Sequence, residues 1–257
     1  MTTMNAAGPG RLLVDGDGSA AWNMAVDQAI AESISVPAES DLPIGATLRF
    51  YTWAEPTLSL GYFQFARDAS PRFDQIARVR RSTGGGAILH HHELTYSLTV
   101  PTNPGEHGAR NDLYRGVHAA FVATLDCFGA TTRPYLLDKR HQGQSDPFLC
   151  FQRRTDEDLI LCGYKVLGSA QRRVRGAIMQ HGSLLLRSSP FADELPGIFD
   201  LTSMEVGVTP IVKEVTARIG TSLNLSFAEG RLTTAERERA GGLVEQRFAA
   251  DQWWSRR

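Results

Sequence analysis

Apolar residues recur at helical spacing in two stretches and alternate with polar ones in several others. After Ser19, a residue suited to cap a helix, Trp22, Val26, Ala29 and Ile30 repeat through about Ser33. Asn111 or Asp112 can cap a second helix, with Leu113, Val117, Phe121, Leu125 and Phe128 on its buried face and Gly129 at its end. Strand patterns run over Leu48–Trp53 and Thr57–Gly61, parted by a turn at Glu55-Pro56. Val79 to His90 reads as strand, glycine loop, strand. Leu94, Tyr96, Leu98 and Val100 alternate with Thr95, Ser97 and Thr99 and predict a half-buried strand closed by Pro101. Leu159–Leu161, Cys162-Gly163 and Tyr164–Leu167 predict a β-hairpin with a two-residue turn, and residues 177–186 a further strand.

Between these elements, residues 34–46 and 134–147 read as loops and Arg67–Ala77 as a short helix. Charged residues between 234 and 249 mark a solvated helix, with Trp253-Trp254 packing it down. The order lacks regular βα alternation and predicts an α+β fold of mixed or antiparallel sheets flanked by helices. Residues 1–10 are small and polar and are expected to be disordered. Residues 11–190 are expected to form the main domain, with 191–257 a helical extension packed on it.

Composition narrows the function classes. A net charge of −1 gives no electrostatic reason to seek nucleic acid or anionic lipid, and no apolar run is long enough to span a membrane. The start has neither a basic nor an apolar region of a signal peptide, and the three cysteines, Cys127, Cys150 and Cys162, form no CxxC pair. Reduced thiols and a cytoplasmic location are expected, with no structural metal.

Three segments carry chemistry. In Arg80-Arg81-Ser82-Thr83-Gly84-Gly85-Gly86 the glycines let a ligand approach the backbone and leave amides free for a carbonyl or phosphate, while the arginines can fix an anion or anchor the loop. The same residues also suit a hairpin tip with solvated arginines. In Tyr164-Lys165-Val166-Leu167-Gly168-Ser169-Ala170-Gln171, a lysine aimed into an apolar pocket can polarise an acyl carbonyl and stabilise a thiolate; aimed outward it is an ordinary surface lysine. Cys150, between Leu149 and Phe151, is a nucleophile if a positive charge lies near it and a small core residue otherwise. Cys127, beside Phe128 on an amphipathic helix, reads as buried. In His90-His91-His92, strand alternation keeps the three rings from converging on one ion, although His90 and His92 can share a face. His181 can line the same cavity as the glycine loop. Arg172, Arg173 and Arg175, with Arg153 and Arg154, suit a docking patch for an acidic protein or a plain solvated surface.

Together these segments resemble the biotin/lipoate protein ligase and octanoyltransferase superfamily over roughly residues 11–190. The resemblance rests on Trp22–Asp27, Leu48–Trp53, Leu60–Gln64, Arg80–His90, Glu93–Ser97, Lys165–Gln171 and Gln180–Leu185, in that order. A Cys-Phe pair, Cys150-Phe151, stands fifteen residues before Lys165, as in the cysteine-dependent octanoyltransferases of Bacillus type. That resemblance implies Cys150 and Lys165 as catalytic residues, and Arg81, Gly84, Gly85, Gly86, His90, Tyr96, Gly168, Ser169, Ala170 and His181 as substrate-binding ones. It implies an octanoyl or lipoyl group carried from acyl carrier protein, without a cofactor, to a lysine of a lipoyl domain in a glycine-cleavage H protein or a dehydrogenase E2 subunit. An ATP-dependent lipoate ligase and a non-catalytic acyl-binding module are the alternatives.

Overall fold

The computed structural model describes residues 8–34, 45–102, 108–137, 148–174 and 176–257. Residues 1–7, most of the expected loops at 34–46 and 134–147, and Arg175 lie outside the described residues. In chain order the elements are β1 (Gly8–Gly18), α1 (Ala20–Ile34), β2 (Thr47–Trp53), β3 (Thr57–Leu60), β4 (Ala77–Arg80), β5 (Ile88–His90) and β6 (Glu93–Pro101). There follow α2 (Ala109–Cys127), β7 (Arg133–Pro134), β8 (Leu159–Leu161), β9 (Tyr164–Val174) and β10 (Ala177–Leu185). The chain ends with α3 (Ile198–Leu201), α4 (Val208–Leu223), β11 (Leu225–Glu229), α5 (Thr234–Leu243), a π-turn over Val244–Phe248 and α6 (Asp251–Trp254).

Eight strands form one sheet in the order β11-β1-β2-β6-β10-β9-β8-β7, and three form another in the order β4-β3-β5. The fold is α+β. One face of the large sheet presents Leu48, Phe50, Leu94 and Leu98 to Val117, Phe121 and Leu125 of α2 and to Ile211, Val215 and Ile219 of α4. The opposite face buries Leu13, Tyr51 and Trp53 against Met24, Val26 and Ile30 of α1. A third cluster, including Leu58, Leu60, Ala87, Leu89 and Leu149, joins the small sheet to the segment before Cys150.

Four expectations need correction. Gly8–Gly10 are strand, because β1 pairs in parallel with β11 on one side and β2 on the other. That pairing also puts a strand into the expected helical extension. The stretch Arg67–Ala77 holds two 3-10 turns, Ala66–Asp68 and Pro71–Phe73, before β4 begins. Pro71 has no amide hydrogen and holds Ser70 extended, which breaks a continuous helix. Finally, β6 is buried on both faces: Thr95, Ser97 and Thr99 are as enclosed as Leu94 and Leu98. Its polar side faces the interior beneath α1 and the glycine loop, where Thr95 accepts the Trp53 indole N–H at 3.0 Å.

The C-terminal residues reach back to the glycine-loop strand. The Arg80 guanidinium, buried by them, donates to the carbonyls of Gly61, Gln64, Trp253 and Trp254, and the Trp253 indole N–H returns a bond to the Arg80 carbonyl at 2.8 Å.

Candidate active site

The glycine loop is shaped from within by Arg81. Its side chain is buried and donates to the carbonyls of Ser59 (2.8 Å), Gly84 (3.1 Å) and Gly86 (2.8 Å). Burial pushes its pKa down to about 10, which leaves it charged at neutral pH. With those carbonyls turned toward the guanidinium, the amides of Gly84, Gly85 and Gly86 donate to no protein acceptor among the described residues.

Cys150 is brought to this loop by its backbone. Ala87 N–H donates to the Phe148 carbonyl, Cys150 N–H donates to the Ala87 carbonyl at 2.5 Å, and Ala87 and Leu149 form a parallel bridge. A Cβ on Gly86 would lie 3.1 Å from the Cys150 Cα, so a side chain there would press on the cysteine. Across the hairpin β8–β9, Lys165 extends under the thiol, with Nζ 3.6 Å from Cys150 Sγ and 3.2 Å from the Cys150 carbonyl. Its ammonium also forms a 2.8 Å salt bridge with Asp158, both side chains being almost fully enclosed. Burial alone would lower the Lys165 pKa. The negative charge available to Cys150 and Asp158 outweighs it, and the net shift is upward, so this lysine is an ammonium at neutral pH. A Cβ on Gly168 would sit 2.5 Å from Lys165 Cε, so the glycine three residues on makes room for the lysine to turn inward.

Above Cys150 and Phe151 lies a narrow, mainly apolar cavity. Arg81, Gly84, Gly85, His90, Gly168, Ser169, Ala170 and His181 line it, together with Met24, Tyr51, Ile88 and Thr95. His181 Nε2 lies 2.7 Å from Thr83 Oγ1 in the glycine loop, and its Nδ1 faces Asp27 at 3.5 Å. Asp27 is fully buried, bonded by Arg49 (2.8 Å) and by the Tyr51 hydroxyl (2.9 Å). Burial works against its charge, but the bonds from His181 and Arg49 prevail and hold its pKa below the ordinary value. His90 stacks on Trp53 at 3.7 Å between ring centroids and bonds Glu93 through Nδ1; burial lowers its pKa.

Nine of the twelve residues singled out from the sequence therefore border one cavity. Of the other three, Gly86 backs onto Cys150, Lys165 lies beneath it, and Tyr96 reaches the wall through its hydroxyl, 2.6 Å from Ser169 Oγ. Cys127 is exposed, its sulfur accepting from Arg218 at 3.0 Å, because it ends α2 beyond the buried stripe. His90 and His92 do not share a face: residues 91 and 92 form the turn between β5 and β6, and the His91 and His92 rings stack on each other at 3.6 Å. Among the described residues, no three His, Cys, Asp or Glu side chains gather as metal ligands, and no helix is long and apolar enough to cross a membrane.

Sequence reading passed over Asp158, Asp27, Thr83 and His118. His118, on the buried face of α2, bonds the Glu157 carbonyl through Nδ1 and Ser169 through Nε2, and burial pushes its pKa down to about 3. The unfolded chain therefore takes up a proton here near pH 6.5 that the folded protein refuses, so stability is lost as pH falls. Between pH 6 and 5 this residue is expected to contribute a loss of about 1 kcal/mol. Urea midpoints of the wild type and His118→Gln at the two pH values check it; the variant should show a shallower slope.

The profile of the lipoyl protein ligase A/B catalytic domain matches residues 19–223, most of the chain. The chain belongs to this family. It is 34% identical to octanoyltransferase LipM of Kyrpidia tusciae over 95% of this chain and 97% of that protein. With octanoyltransferase LipM of Bacillus subtilis the identity is 29%, over 95% and 96%. Among solved structures, lipoate-protein ligase A bound with ATP superposes with a TM-score of 0.76 at 22% identity, covering 96% of this chain and 98% of that one. The bi-partite lipoate protein ligase of Thermoplasma acidophilum gives 0.73 at 21%, covering 96% of each. These two likenesses establish the shared fold.

Proposed function

We propose that this family member carries an octanoyl group, through Cys150, from an acyl carrier protein thioester to a lysine of a lipoyl domain. The chain is an octanoyltransferase, as its relatives across their full length are named. The observation behind the mechanism is the buried Lys165 ammonium 3.6 Å from the Cys150 sulfur at the floor of an apolar cavity. A carboxylic acid would need activation before an amide could form; a thioester already carries it.

The Cys150 thiolate, held by the Lys165 ammonium, attacks the thioester carbonyl carbon. The tetrahedral oxyanion is held by the open amides of the glycine loop. The carrier thiolate leaves and takes the proton that Cys150 gave up, and an octanoyl thioester remains on Cys150. The ε-amine of the acceptor lysine then attacks this carbonyl, expels the Cys150 thiolate back onto Lys165, and releases one proton to solvent. The chain expected to do this works in the cytoplasm, where both carriers are reduced and soluble. Its acceptor is a glycine-cleavage H protein or a dehydrogenase E2 lipoyl domain.

Four arginines mark where an acidic carrier would dock. Arg256 lies 4.0 Å over the Tyr62 ring and Arg172 5.5 Å; Arg247 lies 4.2 Å over Trp253 and Arg257 5.6 Å over Phe63. This group replaces the patch expected from sequence, since Arg154 instead bonds the Gly163 carbonyl. Burial first, then repulsion from Arg256 and Arg257, lowers the pKa of Arg80 beneath them, a sign of concentrated positive charge. Arg256→Ser with Arg257→Ser is expected to raise KM for the carrier about tenfold at low salt and less at high salt. Steady-state kinetics at two ionic strengths check it.

Initial rates with both carriers varied and no nucleotide present test the reading. Parallel double-reciprocal lines, independent of ATP, are expected of a covalent intermediate. Turnover that requires ATP and free acid would instead mark a ligase.

A further inference from the structure

A chain of hydrogen bonds runs behind the cavity wall with its polarity fixed at both ends. The Arg110 Nε–H can only donate, and does so to Gln171 Oε1 at 3.3 Å. The Gln171 amide group donates to Gln180 Oε1 at 2.8 Å, and the Gln180 amide group to the Tyr96 hydroxyl oxygen at 2.7 Å. Tyr96 Oη lies 2.6 Å from Ser169 Oγ, which lies 2.7 Å from His118 Nε2. At the far end His118 Nδ1 is 2.6 Å from the Glu157 carbonyl, which can only accept.

Nδ1 therefore carries the ring proton. A second proton on Nε2 would make a buried imidazolium, disfavoured here first by desolvation and then by the nearby Lys165 ammonium. Nε2 is thus a bare lone pair, and the Ser169 hydroxyl must donate to it. Tyr96 must in turn donate to Ser169. Reversing either bond would set two lone pairs or two protons against each other in a dry interior.

Ser169 borders the cavity and also the open groove beyond the glycine loop, lined by Asn111, Tyr114, Thr155 and Gln171 among others. Its one proton is spent on His118. It can offer the substrate a lone pair but no hydrogen, so it suits an N–H group and not an oxyanion.

We propose that Ser169 orients the attacking lysine of the acceptor by accepting one of its ε-N–H bonds, and that His118 is the positioning residue that keeps Ser169 in this accepting state. The inference rests on the two-step thioester reading above and concerns its second step. With one amine hydrogen bound to Ser169, the nitrogen lone pair is steered toward the acyl carbon on Cys150. The amine proton lost after attack goes to solvent through the groove.

The two half-reactions can be timed separately by mass. The octanoyl-enzyme is formed with octanoyl carrier protein, freed of carrier, and given a lipoyl domain or the small amine hydroxylamine. In Ser169→Ala, the rate of transfer to the lipoyl domain relative to the rate of acylation is expected to fall at least about tenfold, the worth of one oriented hydrogen bond. Hydroxylamine, which needs no steering, should react with the variant's acyl-enzyme within about twofold of wild type. His118→Leu should shift the same ratio in the same direction, and His118→Gln, which can still accept from Ser169, should recover most of it; these two decide the matter if Ser169→Ala does not fold. An unchanged ratio in Ser169→Ala or His118→Leu overturns the inference, as does an equal fall in both half-reactions. A wild-type enzyme that forms no octanoyl-enzyme at all overturns the thioester reading itself.

Discussion

Lys165→Met is expected to damage both the fold and the chemistry, and a second substitution should separate the two. The ammonium is enclosed with Asp158 at 2.8 Å, and that carboxylate has only the Thr155 amide as a further printed partner, at 2.7 Å. Removing the cation leaves a buried carboxylate without its counter-charge, which costs about 3–5 kcal/mol in comparable sites. Adding Asp158→Asn removes the stranded charge and should return most of that stability. Activity should not return, because the group 3.6 Å from the sulfur is still missing. Loss of such a preorganised charge is expected to lower kcat by about 10²–10³-fold. Urea denaturation and single-turnover acylation of the single and double variants give the two readouts. Recovery of activity together with stability would show that Lys165 serves the fold alone.

Cys150→Ser should show the reverse pattern. Cys150 is placed by its backbone bonds to Ala87, which the substitution leaves in place, so thermal stability should stay close to that of the wild type. A serine hydroxyl beside a lysine remains protonated at neutral pH and is a poor nucleophile without a base to take its proton. Octanoyl transfer is expected to fall by about 10⁴-fold or more, in the range seen when a covalent nucleophile is removed. Octanoyl chains should still enter the cavity, so the serine variant should bind carrier without consuming it.

The sequence was informative where one local pattern was enough. The turn at Cys162-Gly163 takes left-handed φ values of 49° and 86°, as a two-residue hairpin requires, and this alone sets Lys165 across from the Cys150 segment. The Leu113–Leu125 stripe of α2 is buried as its spacing predicts. Less was legible where meaning depends on distant pairing. Nothing in Gly8–Gly18 marks a strand until Leu225–Glu229 lies beside it. The threonines of β6 look solvated because they are polar, yet they face a buried polar interior that only the assembled fold creates.

The same holds within the site. Arg81 could be read as an anion ligand or a loop anchor; its bonds to three loop and strand carbonyls show the anchoring role. Asp158 and His118 gave no local signal, since each matters through a partner on another element: Asp158 through Lys165 across the hairpin, and His118 through Ser169 on β9. A turn aspartate facing a strand lysine across a predicted hairpin was the one hint available for Asp158.

The most direct test is to weigh the protein after mixing it with octanoyl carrier protein alone, in the absence of nucleotide and acceptor. One octanoyl group should be gained, on the peptide that contains Cys150, and it should be lost again when a lipoyl domain is added. No gain in mass, or an acyl group found on any residue other than Cys150, would contradict transfer through this thiol.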